Sequence, residues 1–161
     1  RHNHLWPQLA DDRLTAMFIA DGHHLTPAQL KVMLRAKGLG RSLVVSDTVA
    51  LGGLAAGKYQ TPIGGKVELR ADGFLAIDDG TGNYLAGAAL PLCAALPVLV
   101  DQVGLTFGEA LALMTSAPGR VIGGGGVLAV GQPADLVALE WDGGAAVPRV
   151  VGVWSRGVRS E

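Results

Sequence analysis

Two polar clusters hold the residues in this 161-residue chain best suited to chemistry: Asp21, Gly22, His23 and His24, then Ser46 and Asp47. A carboxylate such as Asp47 can take a proton from water and return it to a leaving group. Beside a divalent metal it could orient or deprotonate the bound water. Plainer readings stand next to these. An Asp after an apolar run often makes an Asx turn or caps a helix, and Asp21 followed by Gly22 reads equally well as a turn. A His pair in a loop is often a satisfied loop pair rather than a ligand set. Local sequence leaves both kinds of reading open.

The clusters follow apolar runs. Thr15 to Ala20 reads as a buried strand that ends in the first cluster. Thr26 and Gln29 form a capping box with Pro27 at the first helical position, and Leu30, Met33, Leu34 and Lys37 follow at helical spacing. The pattern predicts a helix from about Pro27 to Lys37. Ser42 to Val45 is a second strand, ending in Ser46 and Asp47. A crossover of this length requires parallel pairing. Catalytic groups in parallel α/β folds sit at the carboxyl ends of strands. With strands about 4.8 Å apart, His23 or His24 and Asp47 would share one mouth within about 10 Å.

Beyond Leu51 the pattern changes to glycine-rich alternation, and Val67, Leu69, Phe74 and Leu75 predict a hairpin about Asp72 and Gly73. Helical texture is expected from about Leu85, with a break near Pro97. It resumes after a second capping box, Thr106 to Glu109, with Phe107, Ala110, Leu111 and Met114 on one face until Pro118. Asp135 to Trp141 and Val150 to Trp154 read as strands. Asp135 is expected in a turn or at a strand edge, and Trp141 and Trp154 are expected to pack that last sheet.

Composition narrows the function. The net charge of -1 leaves no electrostatic footprint for a phosphate backbone or an anionic membrane. The single Cys93 excludes an internal disulfide and reads as a small buried residue. The uncharged stretch between Asp79 and Asp101 contains Asn83, Pro91 and Pro97, so it reads as buried helical segments rather than a membrane span. Gly123 to Gly126 lacks the Lys-Ser/Thr of a P-loop, and no Gly-x-Ser-x-Gly elbow occurs.

At Ile19-Ala20-Asp21-Gly22-His23-His24 and Leu43-Val44-Val45-Ser46-Asp47 the chain resembles the amidohydrolase superfamily, and within it the N-acetylglucosamine-6-phosphate deacetylases. The resemblance continues through Tyr84 to Leu90 and Ala110 to Pro118. It ends at Gly131-Gln132-Pro133-Ala134-Asp135-Leu136-Val137, so that nearly the whole chain is covered in order.

The resemblance implies an α/β fold, the carboxyl-terminal portion of a metal-dependent (β/α)₈ TIM barrel with strands of a small β-sandwich. A whole barrel needs about 250 residues. The expected division is a partial barrel over residues 1–125, with a β-hairpin insertion at about 57–80, and sandwich strands over 126–161. By the same resemblance Asp47 matches the catalytic aspartate, base and then acid for an activated water. His24 matches a substrate-contacting histidine, with Asp21, Gly22 and His23 beside it. Leu85, Ala86 and Gly87 match a stretch lining the sugar site, and Arg1 falls where the family has a phosphate-contacting arginine.

The implied parent is a cytoplasmic homo-oligomer that binds an amino sugar phosphate but no nucleic acid or membrane. Its divalent metal, zinc, iron or similar, is held by upstream residues without counterpart here, so no metal ligand is expected within this chain and the isolated chain is expected to be inactive. Ala88 and Ala89 stand where serines are common and Thr48 where alanine is usual, which puts the substrate in question more than the reaction. Another N-acyl or cyclic amide as substrate, or a non-catalytic truncated product, are the alternatives.

Overall fold

The computed structural model describes residues 3–62 and 65–160; Arg1, with its expected phosphate contact, lies outside them. Helix α1 (Leu5–Ala10) precedes strand β1 (Ala16–Ile19), helix α2 (Pro27–Lys37) and strand β2 (Ser42–Val45). The two strands pair in parallel, Ala16 opposite Ser42 through Ile19 opposite Val45, as the crossover requires. Helix α2 starts at the capping box: Gln29 N donates to Thr26 Oγ1 at 3.3 Å, and Thr26 N donates to Gln29 Oε1 at 3.0 Å. Leu30, Met33 and Leu34 are buried, and they share a core with Phe18, Ala20 and Val44 of the strand unit. Each such burial stabilises by about 1.5–3 kcal/mol.

Lys37 belongs to the same buried face, where an apolar residue would be the simplest choice. Its ammonium is satisfied by the last turn of α1, donating to the carbonyls of Gln8 at 3.0 Å and Asp11 at 2.6 Å, with Leu9 at 3.5 Å. Those carbonyls have no partners within α1, and a cation suits the negative end of a helix.

After β2 the chain builds an antiparallel sheet in the order β3 (Gly57–Thr61), β4 (Gly65–Leu69), β5 (Phe74–Ile77), β6 (Leu85–Ala88). The expected hairpin is its middle: β4 and β5 turn through Asp72 and Gly73, where Phe74 N donates to Asp72 Oδ1 at 3.0 Å. A second core of Leu51, Val67, Leu69, Leu75 and Ala89 lies under this sheet.

The helical texture expected from Leu85 is corrected, since Leu85–Ala88 is strand β6. A short apolar run does not reveal its period, and pairing with β5 decides for the extended form. The helical stretch begins instead with a 3₁₀ turn at Leu92–Ala94, continues as α3 (Ala95–Pro97) and widens to a π turn at Val98–Val103. It runs through Pro97. Helix α4 (Phe107–Met114) carries the second capping box but ends at Thr115 rather than at Pro118, which lies inside α5 (Ser116–Ile122). Pro118 is the third residue of α5, where a backbone N–H would have no intrahelical partner anyway, whereas Pro97 sits where the α turn gives way to the wider π turn. The buried face of α4 is Ala110, Leu113 and Met114; Leu111 only packs against that core, and Phe107 is 46% exposed.

Strands β7 (Leu136–Glu140), β8 (Arg149–Ser155) and β9 (Val158–Arg159) form the last antiparallel sheet. Asp135 anchors its edge, accepting from Arg156 N at 2.7 Å. Trp154 stays on this sheet beside Arg159. Trp141 does not: it stacks on Phe107 at 5.8 Å and packs against the first core, and its Nε1 donates to Ala146 O at 2.9 Å. The apolar ring of Phe107 at the start of α4 draws the indole away from the sheet. Cys93 is half-buried rather than fully buried.

Among the described residues the parallel sheet has two strands and no closed barrel forms. No helix among them is long and apolar enough to cross a membrane.

Candidate functional site

Asp21 and Asp47 follow the carboxyl ends of β1 and β2, each two residues beyond the last paired residues, Ile19 and Val45. Asp21 is folded back on its own turn. Its Oδ1 accepts from His23 N at 2.9 Å and His24 N at 3.0 Å, and its Oδ2 meets His24 Nδ1 at 2.8 Å. The side chain is 8% exposed. Burial pushes this carboxyl upward, but the amide hydrogens of His24 and His23 and the His24 ring outweigh it and hold it below the usual carboxylate range. The Asx-turn reading of Asp21 is therefore realised.

The two histidines diverge. His24 is half-buried and tied to Asp21, while its Nε2 has no partner among the described residues. His23 reaches the inserted sheet instead: its Nε2 lies 3.1 Å from Asp72 O and its ring meets Phe74 edge-on at 5.4 Å. Arg70 also lies over the Phe74 ring, 4.8 Å from its centre. Gly22 supplies the positive φ, 81°, that lets the turn close.

Asp47 is exposed, and its carboxylate has no hydrogen bond or ion pair among the described residues. Its φ of 49° is left-handed, which for a residue with a Cβ costs about 1 kcal/mol. The backbone on either side holds it there. Before it, β2 is locked into the parallel pair. After it, Thr48 bridges Ala88, Val49 N donates to Ala88 O at 2.9 Å, and the Thr48 hydroxyl donates to Leu90 O. This second clamp was not foreseen. The β-branched pair Thr48-Val49 directly after Asp47 was its only signal, since such residues favour extended backbone.

The clamp also brings in Leu85, Ala86 and Gly87. With Ala88 they form β6, and Ala88 lies opposite Thr48, the residue that follows Asp47. Gly87 has φ 137°, and a Cβ there would lie 3.0 Å from Val49 Cγ1. Only glycine lets the strand approach the loop so closely. A small cleft at the strand ends is lined by Ala20, Asp21, Val45, Ser46, Leu90 and Pro91. On the other side of the clamp a cavity of about 470 Å³ lies between Val49, Leu51, Val67, Leu75 and Ala86, with Gln60 and Thr61 at its edge.

The donor set does not fit a metal ion. Among the described residues no three His, Cys, Asp or Glu side chains converge where one could be held. What the site offers is one buried carboxylate bonded to a histidine and one exposed carboxylate, without a partner among the described residues, on a backbone held from both sides.

Fold and site together define an α/β protein with its polar groups at the carboxyl edge of a parallel strand pair, the place where (β/α) enzymes carry their chemistry. Comparison with known proteins makes this specific. The chain is 31% identical over 135 residues, 82% of its length, to an Escherichia coli (strain K12) protein provisionally named N-acetylgalactosamine-6-phosphate deacetylase, of which it covers 77%. Its fold is similar to the crystal structure of N-acetylglucosamine-6-phosphate deacetylase from Pasteurella multocida, with TM-score 0.79 and 26% identity over 94% of this chain and 38% of that one. It is also similar to the D267A mutant of the Mycobacterium smegmatis enzyme in complex with N-acetyl-D-glucosamine-6-phosphate, with TM-score 0.77 and 25% identity over 94% of this chain and 39% of that one. No family profile matches. The chain belongs to the family of N-acetylgalactosamine- and N-acetylglucosamine-6-phosphate deacetylases. It spans about a third of the length of other curated relatives that it matches, including the bovine N-acetylglucosamine-6-phosphate deacetylase.

Proposed function

We propose that this chain is the proton-handling part of a deacetylase that hydrolyses the N-acetyl group of N-acetylglucosamine-6-phosphate. The carrying observation is Asp47, an unpaired, exposed carboxylate held at a left-handed φ between two backbone clamps at a strand end. Fixing the backbone on both sides limits where the carboxylate can go. Its lack of a partner among the described residues leaves both oxygens able to accept a proton.

In the proposed reaction water attacks the acetyl carbonyl carbon, and Asp47 takes the proton that the water loses. The tetrahedral intermediate then collapses, the C–N bond breaks, and the same carboxyl delivers that proton to the leaving amine. Acetate and the free amino sugar phosphate are the products. His24 contacts the sugar phosphate through Nε2, and Leu85, Ala86 and Gly87 form the wall next to Asp47. His23 holds the inserted sheet against the site loop. The divalent metal that the family resemblance implies would polarise the carbonyl and the water; among the described residues no donor set converges to hold it, and no step here runs through it.

The test is a chimaera in which this chain replaces the matching segment of the Pasteurella multocida enzyme. It is expected to release acetate from N-acetylglucosamine-6-phosphate and to prefer it over unphosphorylated N-acetylglucosamine. The 161-residue chain alone is expected to release none. A folded chimaera with no activity on the phosphorylated sugar contradicts the proposal.

A further inference from the structure

We propose that Asp21 is a positioning residue that holds His24 in the Nδ1–H tautomer, so that the ring presents the Nε2 lone pair to a hydroxyl or N–H group of a ligand. The inference rests on the reading of His24 as a ligand contact and goes beyond it, because it assigns which atom acts and in which hydrogen-bonding sense.

The geometry fixes the sense of the bond. Asp21 is buried at 8% exposure, and its Oδ1 is already taken by two backbone amides, His23 N at 2.9 Å and His24 N at 3.0 Å. Those amides can only donate, so they favour the ionised carboxylate. An ionised carboxylate can only accept. The 2.8 Å contact between Oδ2 and His24 Nδ1 therefore requires the hydrogen to sit on Nδ1. In the neutral ring the other nitrogen must then carry a lone pair. Nε2 has no partner among the described residues, so that acceptor remains available.

The turn itself enforces the arrangement. Gly22 at φ 81° folds the chain so that the amides of His23 and His24 both converge on one oxygen of Asp21. His23 cannot take the same place, because its ring is turned to Asp72 O and Phe74 of the inserted sheet. The choice between two adjacent histidines is thus made by which ring Asp21 reaches. A ligand group that only accepts, such as a carbonyl or a phosphate oxygen, is disfavoured opposite neutral His24, whereas a sugar hydroxyl or an amide N–H fits.

The consequence can be read without turnover. Ring ¹⁵N chemical shifts of His24 in the 161-residue chain, assigned by their loss in His24→Gln, are measured at about pH 8, above the ordinary imidazole range. The wild type is expected to show a protonated Nδ1 and an unprotonated Nε2. Asp21→Asn keeps an oxygen for the two amides but turns an NH₂ donor toward the ring, so the dominant tautomer is expected to invert to Nε2–H. A purely structural Asp21 would not predict that inversion. A wild-type ring protonated on Nε2, or an Asp21→Asn ring with unchanged tautomer, overturns the proposal, and the wild-type result stands even if the variant fails to fold. In a separate arm N-acetylglucosamine-6-phosphate is added to the chain. Movement of the Nε2 signal supports the ligand contact. An unmoved signal with the tautomer as stated overturns the acceptor role toward this ligand while leaving the hold of Asp21 on the ring intact.

Discussion

Asp21 and Asp47 stand level with each other, each two residues past the paired Ile19 and Val45, yet their carboxylates have opposite surroundings. Asp21 is bonded to two amides and an imidazole inside the fold, while Asp47 is exposed and unpaired. In the proposed reaction this single strand pair would deliver one carboxylate for positioning and one for proton transfer.

The bonded state of Asp21 makes stability depend on pH. Its carboxyl is held below the ordinary value of about 3.9, so its contribution is present above that value and is lost as pH falls through the lower folded one. Asp21→Asn is expected to lower stability by about 1–2 kcal/mol at neutral pH. The gap to wild type should narrow as pH drops below about 4. Urea unfolding at several pH values checks this, and a gap independent of pH would contradict it.

Lys37 joins the ends of α1 and α2 through carbonyls of Gln8, Leu9 and Asp11. Lys37→Met keeps the apolar stem but leaves the carbonyls of Gln8 and Leu9 without this donor, while Asp11 O keeps only Leu14 N. The expected loss is about 2 kcal/mol, read as a lower denaturation midpoint. An unchanged midpoint would show that water satisfies the end of α1 equally well.

Two glycines in neighbouring helices should respond with opposite sign to the same change. At Gly119 in α5 a Cβ would lie 2.2 Å from the carbonyl oxygen of Gly125, and backbone cannot yield cheaply. Gly119→Ala is expected to destabilise by about 2 kcal/mol or more. At Gly108 in α4 nothing lies within 4 Å and φ is not positive. Gly108→Ala is expected to stabilise by about 0.5 kcal/mol, because alanine loses less backbone freedom on folding. Thermal melts of the pair decide it.

Much of this arrangement was legible in the sequence, because local signals dominate there. Both capping boxes, the parallel pair Thr15 to Ala20 with Ser42 to Val45, and the turn at Asp72-Gly73 all follow from residue types at fixed spacing. What failed to show was set by contacts distant along the chain. Leu85 to Ala88 could not be told from a helical run until β5 and Thr48 paired with it. Pro118 looked like a break because its position within a first turn depends on where α5 starts, and Pro97 because nothing local shows the change from α to π turn beside it. Trp141 left its sheet for Phe107, a partner more than thirty residues earlier. At the site, the strand ends were visible, but strand-end spacing alone did not separate His23 from His24; the family resemblance singled out His24, and which ring Asp21 reaches is set by the fold. The clamp on Asp47 likewise depends on Ala88 and Leu90, forty residues on.

The most direct measurement is acetate release by the chimaera carrying Asp47→Asn. Asn cannot accept the proton, so turnover on N-acetylglucosamine-6-phosphate should fall by about 10²–10⁴-fold, with little change in KM. Stability should stay within about 0.5 kcal/mol of the parent, because the side chain is exposed and unpaired. A folded Asp47→Asn chimaera that turns over at nearly the parent rate would contradict the account.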